Sequence, residues 1–327
     1  PGTGILPLIP NYDALTNSVY FIYQKEVEKL FYEIGGRYDF KNWKVATIVR
    51  TPRPEIERFE HNFHNYSIST GLKYEFLEGF ELNLNGGYML RAPEVNELYS
   101  SGLHQGVSGI EEGSPNLNSE KSLKLVASTD LYLQKKIFIQ ALAYYQNIQD
   151  YIYLQPQNEF RLTIRGAFPV FIYEQTDASI LGADLLVSYE PKENLKWLFK
   201  YALVDGKDLR NNLNLINIPA NNLFSSLTLS LKDGETFKQN SIAINGKYVF
   251  QPEEIITPEQ DFLAPPDAYF LLGLNFGTNW HLDHSKIKIN LSVENALNTK
   301  YRDYLNRLRY FADDVGMNVI LNLNYGF

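Results

Sequence analysis

The side chains best suited to binding a ligand gather between residues 91 and 121. His104 precedes Glu111 and Glu112 there, in His-x-Gly and Glu-x-Gly spacing. An imidazole suits iron or zinc, and carboxylates can complete a zinc site. One His with distant carboxylates is loose ligand spacing, so a solvated loop residue is the other reading of His104. Arg91, Glu94 and Glu97 open the same segment around Pro93, which stops regular pairing. Charges so placed survive by pairing, which predicts an ion-pair network that fixes the loop. Near the C-terminus Tyr301, Tyr304 and Tyr310 crowd the last long loop together with Arg302, Arg307 and Arg309. Arg307 and Tyr310 suit an anionic chelate, or else belong to a band of aromatics with charges above it. His61-x-x-His64 and His281-x-x-His284 are also present. Residues three apart on a strand face opposite sides, so neither pair chelates without a bend. Catalysis finds little support. There is no cysteine, no Ser in a nucleophile elbow, and the adjacent Asp313 and Asp314 read as solvated loop carboxylates.

The elements that must carry these residues are strands. Tyr66, Ile68, Thr70, Leu72, Tyr74 and Phe76 alternate with Ser67, Ser69, Gly71, Lys73 and Glu75. Phe80, Leu82 and Leu84 alternate with Glu81, Asn83 and Asn85, and Ile287, Ile289, Leu291 and Val293 with Lys288, Asn290 and Ser292. Such period-2 patterning means antiparallel strands with one apolar and one polar face. Thirteen strands are expected, near 17–25, 29–40, 61–76, 80–90, 122–133, 137–154, 170–189, 195–204, 218–231, 237–249, 267–280, 286–296 and 316–327.

Tight turns at 26–28, 77–79, 134–136, 190–194, 232–236 and 281–285 alternate with long loops at 41–60, 91–121, 155–169, 205–217, 250–266 and 297–315. That asymmetry is the habit of an outer-membrane barrel, with short turns inside the cell envelope and long loops outside. No run of about 18 apolar residues exists for a helical span. Of 327 residues, 23 are Tyr, 20 Phe and 30 Asn. A membrane barrel divides such a composition: aromatics at the lipid interfaces, Asn in a wet lumen and the loops. The formal charge of −8 argues against a nucleic-acid partner.

Two stretches go beyond patterning. One runs Gly87-Tyr88-Met89-Leu90-Arg91-Ala92-Pro93-Glu94-Val95-Asn96-Glu97-Leu98-Tyr99 and continues to Pro115-Asn116-Leu117-Asn118-Ser119-Glu120. The other is Val293-Glu294-Asn295-Ala296-Leu297-Asn298-Thr299-Lys300-Tyr301, leading to a last strand with Tyr325 and terminal Phe327. Together they resemble the signature of TonB-dependent outer-membrane receptors, and Tyr325 and Phe327 resemble the C-terminal signal of outer-membrane barrels.

The resemblance implies an all-β, antiparallel transmembrane β-barrel, present in part: about 13 strands of a barrel of about 22. Residues 1–327 are then expected to be the C-terminal part of one barrel domain, without the plug domain of the family. It further implies an outer-membrane receptor that imports a scarce solute with energy relayed through TonB. Haem, a ferric siderophore or other ferric chelate, or zinc would be cargo, with no resident cofactor. His104 would then be the tentative metal ligand, with Glu111, Glu112, Arg307 and Tyr310 as substrate contacts. Expected partners are the TonB complex through the plug, lipopolysaccharide and outer-membrane lipid, and the barrel assembly machinery. A passive outer-membrane porin or a surface binding barrel would use the same wall and loops.

Overall fold

A strand with one apolar and one polar face must pair on both edges and hide one face from water. The computed structural model describes residues 7–49, 55–252, 260–282 and 284–327. In chain order the strands are β1 (Asn11–Val27), β2 (Leu30–Val49), β3 (Glu55–Leu77), β4 (Phe80–Arg91), β5 (Ser101–His104), β6 (Gly109–Glu112), β7 (Glu120–Leu133) and β8 (Ile137–Thr163). They continue as β9 (Gly166–Lys192), β10 (Leu195–Asp208), β11 (Leu213–Asn214), β12 (Asn222–Ser230), β13 (Phe237–Val249), β14 (Tyr269–Leu282), β15 (Ser285–Glu294) and β16 (Asn318–Gly326). One short helix, α1 (Val95–Tyr99), precedes β5. Among the described residues no helix is long and apolar enough to cross a membrane.

Thirteen strands make one continuous antiparallel path, β1-β2-β3-β4-β7-β8-β9-β10-β12-β13-β14-β15-β16, which is the number that alternation predicts. The sheet is open, with β1 and β16 at its two edges. Register keeps like with like. Leu72 opposes Leu84, Leu84 opposes Ala127, Ala127 opposes Ala143, and Ala143 opposes Ala183. Further round, Leu227, Ile244, Leu274, Val293 and Val319 form another unbroken row. On the other face Lys73 opposes Asn83, and Asn290 opposes Asn322. Asn, normally scarce in strands, is tolerated because this face meets water. Protein does not cover the apolar face: Ile68 is 60% and Leu323 61% exposed. In a transmembrane barrel that cover is lipid.

Two expected long loops prove to be strand. Residues 41–49 and 55–60 extend β2 and β3, with pairing running from Leu30–Tyr74 to Val49–Glu55. Residues 155–163 and 166–169 likewise extend β8 and β9 into a projecting hairpin that turns at 164–165. Alternation fades there because both faces have left lipid, as in Lys41-Asn42-Trp43-Lys44. The backbone keeps pairing because the loops supply new apolar partners. Trp43 and Val45 form a buried cluster with Val95, Leu98 and Tyr99 of α1. Parts of the expected loops 41–60 and 250–266, and of the expected turn 281–285, lie outside the described residues.

Gly182 opposes Tyr144 on the polar face, and a Cβ on it would stand 2.3 Å from the Tyr144 ring. Lys124 caps the same ring at 5.1 Å. Gly182→Val should therefore expel the ring and lower unfolding free energy by about 1–3 kcal/mol, the usual cost of overpacking. Urea unfolding followed by heat-modifiable gel mobility measures it.

Candidate functional site

The site is built by segments that leave the sheet at one end and converge over it. β4 ends at Arg91, and Pro93, almost fully buried, closes the ladder. Arg91 Nη1 donates to both carboxylate oxygens of Glu97 at 3.1 and 2.9 Å, and its Nε donates to Glu120 at 2.6 Å. The Glu94 N–H donates to Glu97 Oε2 at 2.6 Å, while the Glu94 carboxylate lies 3.7 Å from Lys41. Glu120 also accepts the Ile152 N–H at 2.6 Å, tying β7 to β8. Arg91, Glu94 and Glu97 thus meet in one network at the base of the loop.

From that base the chain climbs. α1 packs Val95, Leu98 and Tyr99 on Trp43 and Val45 of the extended β2, and His61 Nε2 lies 2.5 Å from the Tyr99 hydroxyl. β5 and β6 then form a small hairpin, whose return at Gly113 runs against α1. A Cβ on Gly113 would stand 2.4 Å from the Leu98 carbonyl carbon and the Tyr99 nitrogen, so this crossing admits only glycine. β6 continues as a parallel partner of the projecting part of β9, pairing Ile110 with Val170 and Glu112 with Ile172.

β6 thereby delivers Glu111 and Glu112 to the mouth. Glu111 is buried, and two groups share its Oε1: His104 Nδ1 at 3.0 Å and Arg307 Nη1 at 2.6 Å. Arg307 comes from the last loop, 196 positions away in sequence. Its guanidinium also lies over the Phe171 ring at 5.1 Å. Glu112 pairs instead with Arg161 of the projecting hairpin, which also approaches Glu159 at 3.3 Å.

Tyr310 belongs to the adjoining part of the cluster. Its hydroxyl donates to Asp261 Oδ1 at 2.6 Å, and Arg309 pairs with the other oxygen of Asp261. Arg309 lies between the Tyr304 and Tyr310 rings, 4.9 and 4.7 Å from their centroids. Burial pushes the Tyr304 hydroxyl up to about 12. Burial and then the Asp261 charge raise Tyr310 as well, so both phenols stay neutral at any physiological pH. Phe262, beside Asp261, meets Phe160, Phe171 and Tyr310 at 5.1, 5.5 and 5.7 Å.

The structure therefore brings His104, Glu111 and Arg307 into direct contact and seats Glu112 and Tyr310 beside them through other partners. His61 and His64 point apart, the latter 2.7 Å from Tyr38. Among the described residues no group of three or more His, Asp or Glu side chains is arranged to hold a metal ion. Arg161, Phe171, Asp261 and Phe262 complete the cluster without any motif to announce them. Arg161, Asp261 and Phe262 show only as charged or aromatic residues inside long connections, and Phe171 only as one more apolar residue at the start of an expected strand.

Residues 2–296 match the family described as TonB dependent receptor-like, beta-barrel. The chain belongs to that family of TonB-dependent receptors. A comparison with curated protein sequences gives no match. Among solved structures the chain is similar to the copper transporter OprC, with a TM-score of 0.78, 17% identity, and coverage of 97% of this chain and 49% of that one. It is similar to the FrpB iron transporter from Neisseria meningitidis (F5-1 variant), with a TM-score of 0.68, 17% identity and 97% and 46% coverage. The ferric yersiniabactin uptake receptor FyuA from Yersinia pestis gives 0.63, 12% identity, and 95% and 44% coverage. The chain thus spans about half the length of these TonB-dependent receptors, which are transporters and receptors rather than enzymes.

Arg309 and Asp261 are 3% and 2% exposed at the side chain. Arg309→Met leaves a buried carboxylate without its counter-charge and should lose about 3–5 kcal/mol of local stability. Trypsin cleavage after Arg302 and Arg307 should then accelerate in intact membranes. The double change Asp261→Asn with Arg309→Met should restore most of the protection.

Proposed function

We propose that this chain forms the outer mouth and part of the wall of an outer-membrane receptor that imports a scarce metal or metal chelate with energy supplied through TonB. The observation that carries the reading is the meeting of His104, Glu111 and Arg307 at the end of the sheet where the loops converge, with Glu112 and Tyr310 alongside. A polar, half-enclosed cluster at the mouth is where a solute from outside first meets the protein. The structural neighbours named for copper, iron and ferric yersiniabactin support the choice of a metal cargo. His104 is the proposed metal contact and Arg307 and Tyr310 the contacts for an anionic chelate, whether haem, a ferric siderophore or a zinc complex. These are cargo, and no resident cofactor is needed.

We infer that residues 1–327 are the C-terminal part of a single barrel domain in a longer receptor, which meets the TonB complex through a plug. Outer-membrane lipid and lipopolysaccharide are the proposed surroundings of the apolar face. Tyr325 on the edge strand and Phe327 just beyond it, 63% and 103% exposed, suit recognition by the barrel assembly machinery. With a net charge of −8, no nucleic-acid partner is proposed.

Growth of the host on haem, a ferric siderophore or Zn²⁺ as sole metal source tests the reading. Growth on at least one should need both this gene and TonB. His104→Ala should weaken binding of that cargo tenfold or more, read by haem absorbance or Zn²⁺ calorimetry. Open channels in planar bilayers without TonB would instead establish a passive porin.

A further inference from the structure

We propose that the Glu111–Arg307 ion pair is a latch across the mouth, in which Arg307 occupies the place that a cationic group of the ligand takes. The proposal rests on the reading of this cluster as the ligand site. Four segments close a ring of contacts at the mouth. Glu112–Arg161 and the β6–β9 backbone pairing join the β5–β6 arm to the projecting hairpin. Arg309 and Tyr310 on Asp261 join the last loop to the segment before β14. Phe262 against Phe160 and Phe171 joins that segment back to the hairpin.

The joint between the β5–β6 arm and the last loop is one of three that side chains alone make. Among the described residues no backbone hydrogen bond spans it, and Arg307 on Glu111 is its charged contact. Of the two side-chain joints that carry charge, Arg309–Asp261 is buried on both sides, whereas this one has a part-exposed partner in Arg307.

Burial decides which charge leaves. The Glu111 side chain is 7% exposed and Arg307 28%. An anion that captured Arg307 would strand a buried carboxylate with only His104 beside it, which is costly. A cation that displaced Arg307 keeps Glu111 compensated. The released guanidinium is part-exposed and already rests on Phe171, where it is free to meet the anionic groups of the same chelate. Exchange of one positive charge for another is thus the favoured way to open the mouth. His104 Nδ1, on the same carboxylate oxygen, lets a metal cation be held by imidazole and carboxylate together.

The chain has no cysteine, so introduced cysteines report without background. Gln105→Cys on the arm and Leu308→Cys on the last loop, both exposed, can carry spin labels in the intact receptor in outer-membrane vesicles. Zn²⁺ or guanidinium should lengthen the label separation measured by pulsed electron resonance, and citrate should not. Response to Zn²⁺ alone assigns a metal, and response to guanidinium alone an organic cation. Arg307→Met and Glu111→Gln should each give the long separation with no ligand added. Unchanged distances with both cations, lengthening by citrate alone, or a short distance in both variants would overturn the latch. Metal-limited growth of the unlabelled strain is scored separately. Growth with a motionless label pair removes the latch only, and a responsive pair without growth removes only the import reading.

Discussion

Inside a bilayer a peptide N–H or C=O has no water to turn to, and an unpaired one costs several kcal/mol. Everything else in this protein follows from the answer to that constraint. Each strand between the two edges satisfies its backbone through two neighbours, so the path from β1 to β16 is continuous and its order is almost the order of the sequence. Once backbone groups are paired, side chains need only sort between lipid and water. Period-2 register then places Leu, Val, Tyr and Phe on one face and Asn, Ser, Lys and Glu on the other.

Beyond the lipid the constraint relaxes and a different chemistry takes over. Strands β2, β3, β8 and β9 keep pairing after their apolar face has nothing to face. What they gain is a scaffold for α1, for β6 and for the aromatic group around Phe171. The charged residues of the mouth are correspondingly interlocked: Arg91 with Glu97 and Glu120, Arg161 with Glu112, Arg307 with Glu111, and Arg309 with Asp261. Partly enclosed charges of both signs in matched pairs let loops of many residues hold a single arrangement over a wet lumen.

How much of this was legible in the sequence divides along the same line. The thirteen-strand path and its tight turns were written in alternation, since lipid and water enforce it residue by residue. The meeting of His104 with Glu111 could be guessed from their nearness in one loop. The arrival of Arg307 on the same carboxylate could not, because it depends on a fold-back across most of the chain. Asp261 and Phe171 gave even less sign, their roles being set wholly by partners on other loops. The extensions of β2–β3 and β8–β9 were misread as loops because packing against α1 and β6, rather than a membrane, keeps them paired.

The projecting β8–β9 hairpin carries a last consequence. Each of its strands has 27 residues, while a tilted crossing needs only about 9–11. Most of its length therefore stands clear of the bilayer, and its tip displays Leu162 at 83% and Ile164 at 104% exposure. The tip therefore stands beyond the lipid, within reach of an antibody approaching the cell. Leu162 and Ile164 are exposed and so free to vary under that pressure, while Val170 and Phe171, several pairs further down the hairpin, are buried and are not.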